Sequence, residues 1–279
     1  MNELTENKQA INRRFGGIAR LYGDEGLNRL LSSHVCVIGV GGVGSWVVES
    51  LVRSGVGAIT MIDMDVVAES NINRQILAHT DSIGRDKVLV MKERIGQINP
   101  DCKVNTVDDF IAVDNLAKYL NSNMNFVVDC IDDFRTKAAL IDHCKKAKIN
   151  IFTVGGAGGQ VDPNKVRQSD LSRTQHDVLL AKTRKLLRQD YGFARNLKRS
   201  FGVPCVYSDE QLVYPDGRGG ITAQRPNNSS SVDVEADASG LPNNALNCAG
   251  GLGSITHTTG SFAFIASAYV INYLVEERK

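Results

Sequence analysis

The most constraining stretch of the chain is VCVIGVGGVGSWVVESLVRSGVGAITMIDMD, residues 35–65. An apolar β-branched run leads into a cluster of glycines. An amphipathic segment follows, then a second apolar run that ends on two acids. This is strand, turn, helix, strand, and the apolar runs do not alternate with polar residues, as expected for parallel strands buried on both faces. The pattern then repeats. IGRDKVLVMKERIGQIN reads as a helix stopped at Pro100, KVNTVDDF (103–110) as a strand, and 115–122 as a helix with Asp114 as its cap. NFVVDCIDD (125–133) reads as a buried strand, 136–147 as a helix and NIFTVGG (150–156) as another strand. Such alternation predicts an α/β fold, a Rossmann-like doubly wound and mainly parallel sheet. After GGAGGQVDP the texture changes to a basic helical stretch, a short strand and turn, a polar loop near 225–244 and a terminal apolar helix. The expected organisation is therefore a nucleotide-binding domain over 1–160 and a smaller α+β extension over 161–279 for substrate binding and dimerisation.

Gly39, Gly41, Gly42 and Gly44 form GxGGxG between strand and helix. Glycine allows the tight turn and close backbone approach, and the helix N-terminus then faces an anion. Asp63 lies 19 residues past Gly44, where an acid commonly meets ribose hydroxyls, with Asp65 beside it. These features suit NAD and ATP equally. A helix end contributes about 0.3–1 kcal/mol to an exposed anion, whereas micromolar binding requires about −8 kcal/mol. A triphosphate should therefore recruit full cations. Arg74 and Lys87 follow at the next two turns, accompanied by Asn71, Asn73 and Gln75, and Asp132 stands at the end of a third strand. Two cations, amides and a carboxylate able to work with magnesium favour a nucleoside triphosphate. An NAD-dependent oxidoreductase remains the rival, and it gives Arg74 and Lys87 no role.

The succession GxGGxG, DxD, N-x-x-R-Q, G-x-x-K and D-C-x-D resembles the ubiquitin-activating-enzyme superfamily, whose bacterial members adenylate carboxylates in molybdopterin and thiamine biosynthesis. The resemblance implies that Asp63 holds ribose, that Asn71, Arg74 and Lys87 hold phosphates, and that Asp132 works with magnesium and ATP. It also brings an alternative, activation of the C-terminus of a small sulfur carrier, with a sulfur-transfer protein as partner. A narrower set (RFGGIARLYG, GVGSW, NRQI, GGAGGQVDP, LVYP and CAGGLGS) resembles the branch of the superfamily that modifies tRNA. That likeness implies ATP-dependent cyclisation of threonylcarbamoyladenosine next to the anticodon, by a homodimer. The superfamily's N-terminal R-Y-x-R-Q is replaced by RRFGGIAR, with Gly17 at the place of the arginine that reaches a neighbouring subunit's ATP. Arg14 and Arg20 are the candidates to replace it. The paired CxxC motifs are absent.

In that reading the substrate carboxylate attacks the α-phosphate, and the neighbouring carbamoyl group then closes a five-membered ring and expels AMP. Cys248 is a candidate reactive thiol, since it stands in a glycine-rich turn at an expected helix start. Lys182, Arg184, Lys185, Arg188, Lys198 and Arg199 crowd one segment and are the candidate contacts to tRNA phosphates. Formal net charge is only +1, so nucleic acid must be met by such a local patch. Six scattered cysteines point to a reducing, cytoplasmic setting with free thiols. The polar N-terminal stretch carries no signal core. THTTGSFAFIASAYVINYLV reads as a buried helix, with membrane contact as the weaker reading.

Overall fold

A computed structural model describes residues 3–224 and 251–276. The chain opens with α1 (Glu3–Ser32), two helical stretches joined at Gly23, whose φ of 73° interrupts the helix. There follow β1 (His34–Ile38), α2 (Gly44–Arg53), β2 (Ala58–Ile62), α3 (Lys87–Ile98), β3 (Lys103–Val107), α4 (Leu116–Tyr119), β4 (Phe126–Asp129), α5 (Phe134–Lys146) and β5 (Ile151–Val154). Next come β6 (Val166–Asp170), α6 (Val178–Asp190), β7 (Pro204–Ser208), a small hairpin of β8 (Tyr214–Pro215) and β9 (Ile221–Thr222), and α7 (Thr256–Val275).

Seven strands form one sheet in the order β3-β2-β1-β4-β5-β7-β6, parallel throughout except for β6, which runs antiparallel to β7 at the edge. This is the doubly wound class expected from the alternation. Side chains of successive strand residues leave opposite faces. Val35 and Val37 of β1 pack with α2, α3 and α7, while Cys36 and Ile38 pack with α4, α5 and α6. Both faces are covered, which is why the strands carry uninterrupted apolar runs. The chain reverses direction across the sheet between β1 and β4, the switch point where ligands bind in folds of this kind.

Several boundaries differ from the sequence expectation. Asp114 does not cap α4. Asn115 occupies the cap position and its Oδ1 accepts from the backbone N–H of Ala112 at 2.8 Å, closing a turn that leaves only one helical turn after it. Helix α5 starts at Phe134 because the Asp133 carboxylate accepts from Thr136 N–H at 2.7 Å. Strand β6 falls mostly before the expected helical stretch, where no strand was expected. Its sequence, VRQSD, lacks an apolar alternation because it is an edge strand.

Helix α7 is long and apolar enough to cross a membrane by length and composition. Here it is built into the core. Phe262, Ala263, Ala266 and Val270 are fully buried, the Ser267 hydroxyl donates to Ser50 Oγ at 2.8 Å, and Tyr269 and Tyr273 pack against Phe126. Cys36, Cys102, Cys130, Cys144 and Cys205 are free thiols. Burial pushes the Cys36, Cys130 and Cys205 thiols well above the ordinary range, which favours the protonated thiol. Cys248 and the 225–244 loop lie outside the described residues.

Candidate nucleotide site

A cavity of about 390 Å³ opens at the C-terminal ends of β1, β2, β4 and β5. Gly39, Gly41 and Gly42 form one wall. Gly39 has φ +84° and lies against the Cys130 carbonyl, so a side chain there meets both a backbone penalty and a steric one. Gly44 does not line the cavity. A Cβ on it would stand 1.8 Å from the Gly39 carbonyl oxygen, so this glycine lets the helix start pass close beside the turn. Helix α2 begins there with no side-chain cap on its first N–H groups, the arrangement that receives an anion.

Asp63 Oδ2 accepts from Val40 N–H at 2.6 Å and its Oδ1 from Asp65 N–H at 2.9 Å. The carboxylate is thereby fixed at the end of β2, beside the glycine turn. Burial pushes its carboxyl above the ordinary range, opposed by the nearby Lys87 charge and these hydrogen bonds. Lys87, the first residue of α3, is buried, and its Nζ donates to Asp65 Oδ2 at 2.7 Å. Lys87 thus lines the cavity already paired with Asp65.

Arg74 is different. It lines the cavity and forms no ion pair with any carboxylate among the described residues. It is carried by a short turn that the buried Asn71 organises. The Asn71 carbonyl accepts from the N–H groups of Arg74 and Gln75, each at 3.0 Å, and its side chain accepts from Ala68 N–H at 3.1 Å. Gln75 is buried on the same wall, and its Oε1 has no hydrogen-bond partner among the described residues.

Asp132 lines the same cavity just past the end of β4 and is exposed there. Loss of water around it pushes its carboxyl above the ordinary range, while Lys137 pulls the other way. Beneath it Lys137 and Asp129, both fully buried, pair at 2.7 Å, and Thr153 donates to the same carboxylate. Asp129 Oδ1 also accepts from Ile131 N–H at 3.2 Å, so this pair anchors the loop that presents Asp132.

The far wall is a second glycine-rich turn, residues 155–158, with Leu179 and Leu252. Asp177 holds it. Its buried carboxylate caps α6 through Leu180 N–H at 2.8 Å and accepts from Gly156 N–H at 2.9 Å. A Cβ at Gly155 would stand 2.1 Å from Asp177 Oδ2, which accounts for that glycine. Asp177, Lys137 and Asp129 were not legible as site residues, since each acts by supporting a loop from behind it.

The expected RNA-contacting cations divide. Arg184 is half-buried and donates to Thr174 Oγ1, and Arg188 lies over the Phe201 ring at 5.1 Å. Both are committed to holding α6 against its neighbours. Lys185, Lys198 and Arg199 are exposed. Lys182 lies 5.5 Å from the Phe134 ring centre, with Arg135 at 4.8 Å from the same ring, one residue past the cavity-lining Asp133. Arg14 donates to the Ile98 carbonyl at 2.9 Å, and neither it nor Arg20 lines the cavity.

A glycine turn at the switch point, with an acid, a cation and a further carboxylate lining the same cavity, has the form of a nucleotide-binding site on a doubly wound sheet. The chain belongs to the ThiF family, whose model matches residues 15–278. It is 46% identical over 266 residues to the tRNA threonylcarbamoyladenosine dehydratase of Haemophilus influenzae, covering 95% of both chains. Identity and coverage are the same for the protein of that name from Escherichia coli. A crystal structure of the Escherichia coli tRNA N6-threonylcarbamoyladenosine dehydratase in complex with ATP superposes with a TM-score of 0.80 at 43% identity, over 95% of each chain.

Proposed function

We propose that this protein is an ATP-dependent tRNA threonylcarbamoyladenosine dehydratase. The observation that carries the reading is the convergence of Asp63, Arg74 and Asp132 with the glycine turn in one cavity. The near full-length identity to dehydratases of that name supports it. The threonine carboxylate of the modified adenosine attacks the α-phosphate of ATP, giving an acyl adenylate and pyrophosphate. The carbamoyl group then attacks the acyl carbon, loses its proton and displaces AMP. Arg74, with Gly41, Gly42 and the start of α2, holds the phosphates, and Asp63 orients the ribose. Hydroxide is a poor leaving group, and adenylation replaces it with AMP. Well-oriented intramolecular attack reaches effective molarities of about 10⁵–10⁸ M, so ring closure requires no enzyme nucleophile, and Cys248 is not needed as one.

The described residues contain no group of three or more His, Cys, Asp or Glu side chains able to hold a metal by themselves. Asp132, one of several aspartates lining the cavity, fits an ion that takes most of its oxygens from the nucleotide and water, as magnesium does. When bound, magnesium neutralises phosphate charge.

Residues 161–279 supply the RNA-facing surface, and the exposed Phe264 of α7 suits contact with a second copy of the chain. RNA approaches along the outer face of α6, over Lys182 and Lys185 and past Arg135 to the cavity rim. The triple substitution Lys182→Glu, Lys185→Glu and Lys198→Glu should weaken tRNA binding at least tenfold and leave ATP binding unchanged. Filter binding across a salt series tests this, because each lost phosphate contact lowers the slope of log K against log salt by about 0.7–0.9. Equal tRNA affinity and equal salt slope for variant and wild type would remove α6 from the interface.

A further inference from the structure

The residue beside the phosphate cation, Asn73, has both ends of its carboxamide engaged. Its Oδ1 accepts from Arg74 Nη1 at 3.0 Å, and its Nδ2 donates to the Ser254 carbonyl at 2.9 Å, across 181 residues of chain. Its own carbonyl accepts from the Thr256 hydroxyl, the first residue of α7, at 2.5 Å. The neighbouring carbonyl, that of Arg74, accepts from Trp46 Nε1 at 3.1 Å and lies 3.4 Å from Thr259 Oγ1. Arg74 Nη1 also donates to Ser70 O at 2.7 Å. A guanidinium carries five N–H donors. Nη1 is held by Ser70 and Asn73, while Nη2 and Nε have no partner among the described residues.

The same short stretch also reaches the segment after the second glycine-rich turn. The Gly253 carbonyl accepts from Gly159 N–H at 2.7 Å, His257 Nε2 lies 2.9 Å from the Val161 carbonyl, and Thr258 Oγ1 donates to the Gln160 carbonyl at 3.3 Å. Residues 253–259 thus tie the turn carrying Arg74 to residues 159–161, which follow directly on the second glycine-rich turn of the cavity lining.

We infer that Asn73 is a positioning residue for Arg74, and that Ser254 and Thr256 at the start of α7 hold it in place so that the guanidinium's remaining donors are aimed at the nucleotide phosphates. Asn73 suits this task because it offers an acceptor to the cation and a donor to a carbonyl at once. An aspartate keeps the first contact but loses the second and adds a negative charge beside the phosphate site. An alanine loses both. This inference rests on the nucleotide reading of the cavity.

The test is the affinity of the full chain for ATP and for adenosine, by calorimetry, in wild type, Asn73→Ala, Asn73→Asp, Thr256→Val and Thr256→Ser. Asn73→Ala and Asn73→Asp are expected to weaken ATP tenfold or more while adenosine binding changes less than twofold. Thr256→Val should fall between, and Thr256→Ser, which keeps the hydroxyl, should match wild type. The selective loss identifies positioning of a phosphate contact, because a disturbed fold weakens both ligands together. ATP affinity unchanged in both Asn73→Ala and Thr256→Val, or equal weakening of ATP and adenosine, overturns the inference. Wild-type protein that binds adenosine and ATP alike overturns the phosphate-site reading itself.

Discussion

Asp132→Ala is expected to lower the rate of adenylation by about 10²–10³-fold or more, the range seen when a single preorganised electrostatic group is removed from a site. The side chain is exposed on the cavity wall and is not part of either core cluster, so the fold should be kept. A pH profile separates its charge from its shape. The carboxylate is the working form, and its surroundings raise its pKa above the ordinary value for aspartate, about 3.9. Activity should therefore fall as the pH drops through that raised value, while an unperturbed aspartate would hold activity to lower pH. Asn at this position should remove the acid limb together with most of the rate. Pyrophosphate release by Asp132→Ala at the wild-type rate would take the residue out of the reaction.

The largest effect on stability is expected from Lys137→Met. Lys137 and Asp129 are both fully buried, and removing one partner leaves an uncompensated charge in the core. Such a change costs about 3–5 kcal/mol, which for a chain of this size lowers Tm by on the order of 10 °C. Replacing both, Lys137→Met with Asp129→Asn, should recover most of the loss, since the amide still accepts from Thr153 without carrying charge. Calorimetric melting of the single and double variants checks this. A double variant no more stable than the single one would show that the loss comes from packing rather than from the stranded charge. Because the pair also anchors the loop before Asp132, the double variant should regain stability without regaining full adenylation rate.

What the sequence disclosed follows from the range over which its signals act. The glycine turn, the buried strands and Asp63 are local patterns; the strands form the expected sheet, and the turn and Asp63 line one cavity at its edge. Arg74, Lys87 and Asp132 follow successive strands in the sequence, and the fold brings all three to one cavity. The partners of these groups were not legible. Lys87 pairs with Asp65, Asn73 with Ser254, and Asp177 with Gly156, through loops whose geometry no periodicity encodes. Strand β6 escaped notice because an edge strand need not alternate. Arg184 and Arg188 looked like surface cations, but they lie against Thr174 and Phe201. A charged residue on an amphipathic helix can serve either water or packing, and spacing alone does not separate the two.

The central claim, carboxylate adenylation on tRNA, is tested most directly by exchange of labelled pyrophosphate into ATP with and without tRNA carrying threonylcarbamoyladenosine. Exchange is expected only with the modified tRNA, with one AMP released for each nucleoside cyclised. Absence of exchange with that tRNA, or exchange driven equally well by unmodified tRNA, would contradict that claim.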